Sequence, residues 1–91
     1  MATTDYAPVR DIPLLITSSA SRSERRITPT WSLSTLKRKL EPITGIPPSV
    51  QRLTLLLPDQ KQEVPLAAED EDATLVGNWP LQQGGEIKVS L

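Results

Sequence analysis

The sequence predicts an α+β domain in which one helix lies across a small mixed sheet. Short runs alternate apolar and other residues with a period of two, as in Ile12, Leu14, Ile16 and again in Ile87, Val89. One stretch instead carries Leu33, Leu36 and Leu40 at the i, i+3, i+7 spacing of a helix stripe, and Pro or Gly clusters punctuate the runs. With 91 residues the chain has room for one core. A hydrophobic fraction of 37% with only 3% aromatic residues means that this core is built from Leu, Ile and Val.

Residues 1–10 are polar, include Pro8 and show neither period, so they read as a flexible lead-in to a domain spanning 11–91. The first strand starts at residue 11 and places Pro13 near its beginning, where a missing N–H is tolerated. Polar residues 18–23 form a turn, and residues 24–30 return as a second extended run anchored by Ile27. Ser32 stands directly before the leucine stripe and is the expected N-cap. Trp31 precedes it and is placed to pack on Leu36 as a hydrophobic staple. Lys37, Arg38 and Lys39 flank the stripe and are expected in solvent. Pro42, Gly45, Pro47 and Pro48 end the helix between residues 41 and 44.

Residues 51–57 give the strongest strand signal, Pro58-Asp59-Gln60-Lys61 reads as a turn, and residues 62–66 form a short return arm interrupted by Pro65. Acidic residues 69–72 are expected in an exposed loop. Residues 75–81 return apolar side chains in a compact turn with one turn of 3₁₀ helix, and Trp79 is expected in the core. Gly84-Gly85 bends the chain into a last strand over residues 86–91. The resulting order is strand, strand, helix, strand, short strand, apolar turn, strand, which is the order of a β-grasp with four or five strands.

Composition removes whole classes of chemistry. The chain has no Cys and no His, which eliminates thiol and imidazole nucleophiles, His bases, zinc sites and disulfides. No Ser or carboxylate has a plausible base partner, and acids 69–72 lack the alternating ligands and central Gly of a calcium loop, so no catalytic residue, metal or cofactor is expected. Lys and Arg total 10 against 11 for Asp and Glu, a formal net charge of -1 that gives no reason to expect nucleic acid or membrane as partner. The longest apolar stretch is far shorter than the roughly 20 residues that span a bilayer.

Leu33-x-x-Leu36-Lys37-x-Lys39-Leu40, followed by Gly45-Ile46-Pro47-Pro48-x-x-Gln51-Arg52-Leu53, resembles the helix and helix-exit signature of ubiquitin-like domains. The likeness continues through Val76-x-x-Trp79-x-Leu81 and Ile87-x-Val89. Within that superfamily the chain resembles the N-terminal ubiquitin-like domain of the tubulin-folding cofactor B family. Three segments carry this: Ile16-Thr17-Ser18-Ser19 running to Arg22-Ser23-Glu24-Arg25-Arg26, then Leu36-Lys37-x-Lys39-Leu40-Glu41, then Leu75-x-Gly77-x-Trp79-Pro80 with Gly84. The resemblance implies a non-catalytic, cytoplasmic and cytoskeleton-associated module with α-tubulin and other tubulin-folding cofactors as partners. It also implies a following coiled coil and glycine-rich domain in the parent protein.

A conjugated modifier needs a flexible tail ending in Gly-Gly, whereas Gly84-Gly85 here precedes a strand and reads as a bend. The positions matching ubiquitin's apolar sheet patch are Thr54, Lys88 and Ser90, a polar set that fits an ordinary solvated face. The clearest functional clue is charge order along the chain: Arg22, Arg25, Arg26, Lys37, Arg38 and Lys39 precede Asp59, Glu63 and acids 69–72. Arg25, Arg26, Lys37 and Arg38 are therefore candidates for docking an acidic partner, set against plain solvation of a helix face and a hairpin. Thr54 and Lys88 are the candidates for the alternative function, an adaptor to the ubiquitin–proteasome machinery. A third reading is regulation within the parent chain. The isolated domain is expected to be a monomer.

Overall fold

The computed structural model describes residues 10–58 and 62–91. The expected turn at Pro58-Asp59-Gln60-Lys61 lies mostly outside the described residues, as does the expected lead-in up to residue 9. Among the described residues five strands are found: β1 (Ile12–Thr17), β2 (Arg22–Ile27), β3 (Arg52–Leu56), β4 (Glu63–Pro65) and β5 (Glu86–Ser90). The single α-helix among the described residues, α1 (Leu33–Thr44), follows β2. Two 3₁₀ turns, Pro48–Val50 and Val76–Asn78, complete the elements. The sheet order is β2-β1-β5-β3-β4, with β1 and β5 parallel at its centre and antiparallel pairs outside them.

The period of two in β1 turns Leu14 and Ile16 toward the helix, and the register carries that face across Ile27, Ile87, Val89, Leu53 and Leu55. Leu33, Leu36 and Leu40 descend onto it from α1, and Leu66 and Val76 close the rim. Every one of these side chains is at most 4% exposed, so the core is wholly aliphatic, as the composition requires. Trp31 and Trp79 are only half-buried and pack against the outside of that core. Trp79 thus packs on the core from outside rather than within it, and the fully buried residue of its turn is Val76.

Local chemistry sets the helix ends. Ser32 is the N-cap, its Oγ accepting from the Thr35 N–H at 3.1 Å. At the other end Gly45 adopts φ 75°, the left-handed conformation that a residue with a Cβ resists, and its N–H closes on the Glu41 carbonyl at 2.7 Å. Pro42 is accommodated inside the last turn, so the helix runs to Thr44. Gln51, which the sequence reading placed in the third strand, is instead a buried side chain whose Nε2 donates to the carbonyls of Lys37 and Ile46 at 2.7 and 2.8 Å. It stitches the middle of α1 to the loop that leaves it. The second strand starts at Arg22 rather than residue 24, because Ser18 and Ser21 already close the hairpin through a main-chain bond at 2.9 Å.

Candidate functional site

The six candidate interaction residues fall into three places. On the face of the sheet away from α1, the register builds one row from Arg22, Thr17, Lys88, Thr54 and Pro65, and a neighbouring row from Glu24, Leu15, Glu86, Leu56 and Glu63. Thr54 and Lys88 are direct cross-strand partners in the first row. Lys88 is exposed and Thr54 half-buried, in a shallow groove shared with Thr17, Ser18, Glu63 and Ser90. The Thr17 hydroxyl donates to the Glu86 carboxylate at 2.7 Å, tying the two rows together. Cationic and acidic rows lie side by side across the middle of this face, so their fields largely cancel there.

Arg26 belongs to the same face but at its margin, opposite Pro13 and beyond the end of β5. Arg25, one residue earlier, points to the helix side of the sheet, opposite Leu14, and its Nε donates to Ser23 Oγ at 3.4 Å. Both are exposed, as is Arg22. Arg38 is exposed on α1 and its guanidinium donates to Thr35 Oγ1 at 3.1 Å.

Lys37 departs from expectation. The sequence reading placed it in solvent with Arg38 and Lys39, but Lys37 is buried, and its Nζ meets the Glu71 carboxylate at 2.7 Å. The reason is its position next to the Leu33, Leu36, Leu40 stripe: the aliphatic stem lies along the core while the ammonium reaches an acid at the rim. Lys39, on the other flank, lies 5.0 Å from the centroid of the Trp31 ring.

The acidic loop is correspondingly less free than its composition suggests. Glu71 is half-buried, and Asp72 accepts from the Ser34 hydroxyl. Main-chain carbonyls of the same loop satisfy the first N–H groups of α1: Leu33 donates to Thr74 at 2.8 Å and Ser34 to Glu71 at 3.1 Å. Sequence charge is therefore not segregated in space as its order implied, because the second-half acids clasp the start of the helix and remove Lys37 from the basic surface. Arg38 and Lys39 stay exposed on α1, and the densest basic and exposed run is the β2 strand, to which the structure adds Arg10. Arg10 and Arg26 line one open cleft with Asp11, Pro13 and Gln83. Arg10 was missed because it sat in a stretch without periodicity, although a basic residue just before the first strand is a visible signal.

Gly77 also gains a physical role. Its N–H donates to the Pro29 carbonyl at 2.9 Å, and a Cβ there would lie 3.0 Å from that oxygen. The turn carrying Trp79 can sit this close to the β2–α1 connection only with glycine. Among the described residues no group of three or more Asp or Glu side chains is placed to hold a metal ion.

Strand order, a single helix across one face and an aliphatic core define a β-grasp domain. The chain belongs to the ubiquitin-like domain family, whose model matches residues 11–90. A curated relative, the cell polarity protein alp11 of Schizosaccharomyces pombe, is 37% identical over 81 residues, covering 89% of this chain and 35% of that protein. The chain thus spans about a third of the length of that relative. Among solved structures, the C-terminal ubiquitin-like domain of mouse tubulin-specific chaperone e superposes with TM-score 0.72 at 15% identity, covering 96% of this chain and 92% of that one. Trypanosoma brucei tubulin-binding cofactor B gives 0.72 at 21%, covering 87% and 92%. The ubiquitin-like domain of a tubulin-binding cofactor B gives 0.68 at 23%, covering 88% of each chain. At these identities the superpositions establish a shared fold.

Proposed function

We propose that this domain is a non-catalytic docking module of a tubulin-folding cofactor, assisting α/β-tubulin folding and the assembly or dissociation of the heterodimer. The observation that carries the reading is an exposed run of arginines on β2 whose guanidiniums have no carboxylate partner among the described residues, in a fold shared with ubiquitin-like domains of tubulin-binding cofactors. The rigid aliphatic core holds these cations in fixed register while an acidic partner surface, on α-tubulin or another cofactor, docks against them. The parent protein works in the cytoplasm at the cytoskeleton, and the module itself acts as a monomer with no cofactor. Among the described residues no helix is long and apolar enough to cross a membrane.

The test is a titration of the ¹⁵N-labelled domain with purified tubulin and, separately, with a proteasomal ubiquitin receptor. Perturbation of Arg22, Arg25, Arg26 and Arg38 by tubulin supports the reading. Perturbation by the receptor alone, centred on Thr54 and Lys88, replaces it with the adaptor function.

A further inference from the structure

We infer that the free edge of β2 takes up an extended acidic segment of a protein partner as an added strand. This rests on the docking reading above for the existence of a partner and deepens it by giving that partner's chemistry.

Among the described residues the sheet has two edges, β2 and β4. β4 is three residues long and ends in Pro65, so it offers little ladder to extend. β2 is six residues long and contains no Pro. Its free main-chain groups can be assigned. Leu15 donates its N–H to Gly85 at 3.0 Å, so residue 15 directs its main chain at the β5 side, and residues 14 and 16 direct theirs at β2. The register partners of Leu14 and Ile16 are Arg25 and Ser23, which therefore face β1. The Ser18–Ser21 bond at the hairpin end has the same phase. Arg22, Glu24 and Arg26 are left with N–H and C=O directed outward.

The side chains of those same residues lie on one face, so a strand pairing there meets the charge pattern Arg, Glu, Arg at alternate positions. Two copies of this edge in full antiparallel overlap set Arg22 against Arg26 and Glu24 against Glu24, opposing like charges at every free position. A second copy is thus disfavoured in the register that uses the whole edge. The complement is a segment with carboxylates four residues apart and a neutral residue midway, and that pattern reads the same in either strand direction. The cleft lined by Arg10 and Arg26 extends the cationic end of the edge, with Asp11 on its wall already accepting from the Thr28 hydroxyl at 2.7 Å. Strand addition provides main-chain bonds for affinity and the alternating charges for selection.

The test uses the ¹⁵N-labelled 91-residue chain and a capped peptide, Gly-Glu-Val-Thr-Val-Glu-Gly, with a Lys-for-Glu peptide as control. Expected are shifts centred on the amides of Arg22, Glu24 and Arg26 and slowed exchange of the Glu24 N–H, with the lysine peptide silent. Arg26→Glu weakens binding about tenfold through loss of a charge-assisted contact. Glu24→Pro removes an outward N–H without touching the β1 ladder and abolishes binding, its fold being checked by its melting curve. The double variant Arg22→Glu with Arg26→Glu keeps the edge and reverses preference to the lysine peptide. Shifts centred on Thr54 and Lys88, or an unreversed preference in the double variant, overturn the inference. So does an inert edge whose Arg22→Ser, Arg26→Ser variant dimerises, since the charges then serve only to prevent self-pairing. No tubulin enters the experiment, so its outcome and that of the tubulin titration are read separately.

Discussion

Truncating Glu71 to Ala leaves the Lys37 ammonium at the core rim without its carboxylate, and the cost follows from how unequally the pair is buried. The Lys37 side chain keeps 10% of its exposure and Glu71 36%. A fully buried pair broken on one side costs about 3–5 kcal/mol, and an exposed pair contributes about 0–1. Lys37 belongs near the first limit and Glu71 near the second. Glu71→Ala is therefore expected to cost about 2 kcal/mol, since the stranded cation can reach water only by dragging its stem off the core. Lys37→Met keeps the stem, and the orphaned carboxylate is already wet, so its cost is expected at about 0–1 kcal/mol. The double variant should resemble Lys37→Met, giving a coupling equal to the Glu71→Ala cost, about 2 kcal/mol. Urea denaturation followed by far-ultraviolet circular dichroism measures all three, and for a domain of this size the Glu71→Ala cost lowers the melting temperature by about 10 °C. The main-chain bond from Ser34 to the Glu71 carbonyl survives each substitution and does not confound the cycle. Equal costs for the two single variants, or purely additive ones, would refute the burial argument and return Lys37 to the exposed basic set.

Gln51→Leu removes both side-chain donors from the Lys37 and Ile46 carbonyls while relieving the buried Oε1 that lacks a partner, and the balance is expected to be a loss of about 2 kcal/mol. Amide exchange should quicken first between the middle of α1 and its exit loop, and a uniform change across the domain counts against the stitching role. Gly77→Ala pushes a Cβ against the Pro29 carbonyl and is expected to lower stability by about 1–3 kcal/mol, read by thermal melting; an unchanged melt shows that the turn can shift. Ser32→Ala removes the cap on Thr35 at an expected cost of about 1 kcal/mol, and Ser32→Asp should recover most of it. Leu36→Ala, at a fully buried site, is expected to cost about 2–5 kcal/mol, much of the stability of a domain this small.

Periodicity and capping chemistry are local, and what depends on them was legible in the chain alone. The leucine stripe with Ser32 before it and Gly45 after it determined α1, and alternation determined β1 and β5 with their buried faces. Absence of Cys and His removed thiol and imidazole groups from the domain. Tertiary structure decided which charges are available to a partner, because that depends on what each long side chain meets from a distant segment. Lys37 and Glu71 are 34 residues apart in sequence, and no local pattern shows that one neutralises the other. Gln51 likewise looked like a strand residue until its amide found two carbonyls of the helix and its exit. The outward edge of Arg22, Glu24 and Arg26 required the phase of the β1–β5 pairing, a contact between segments about 70 residues apart. Short-range stereochemistry made the elements; long-range pairing assigned each charge to the core rim or to the surface.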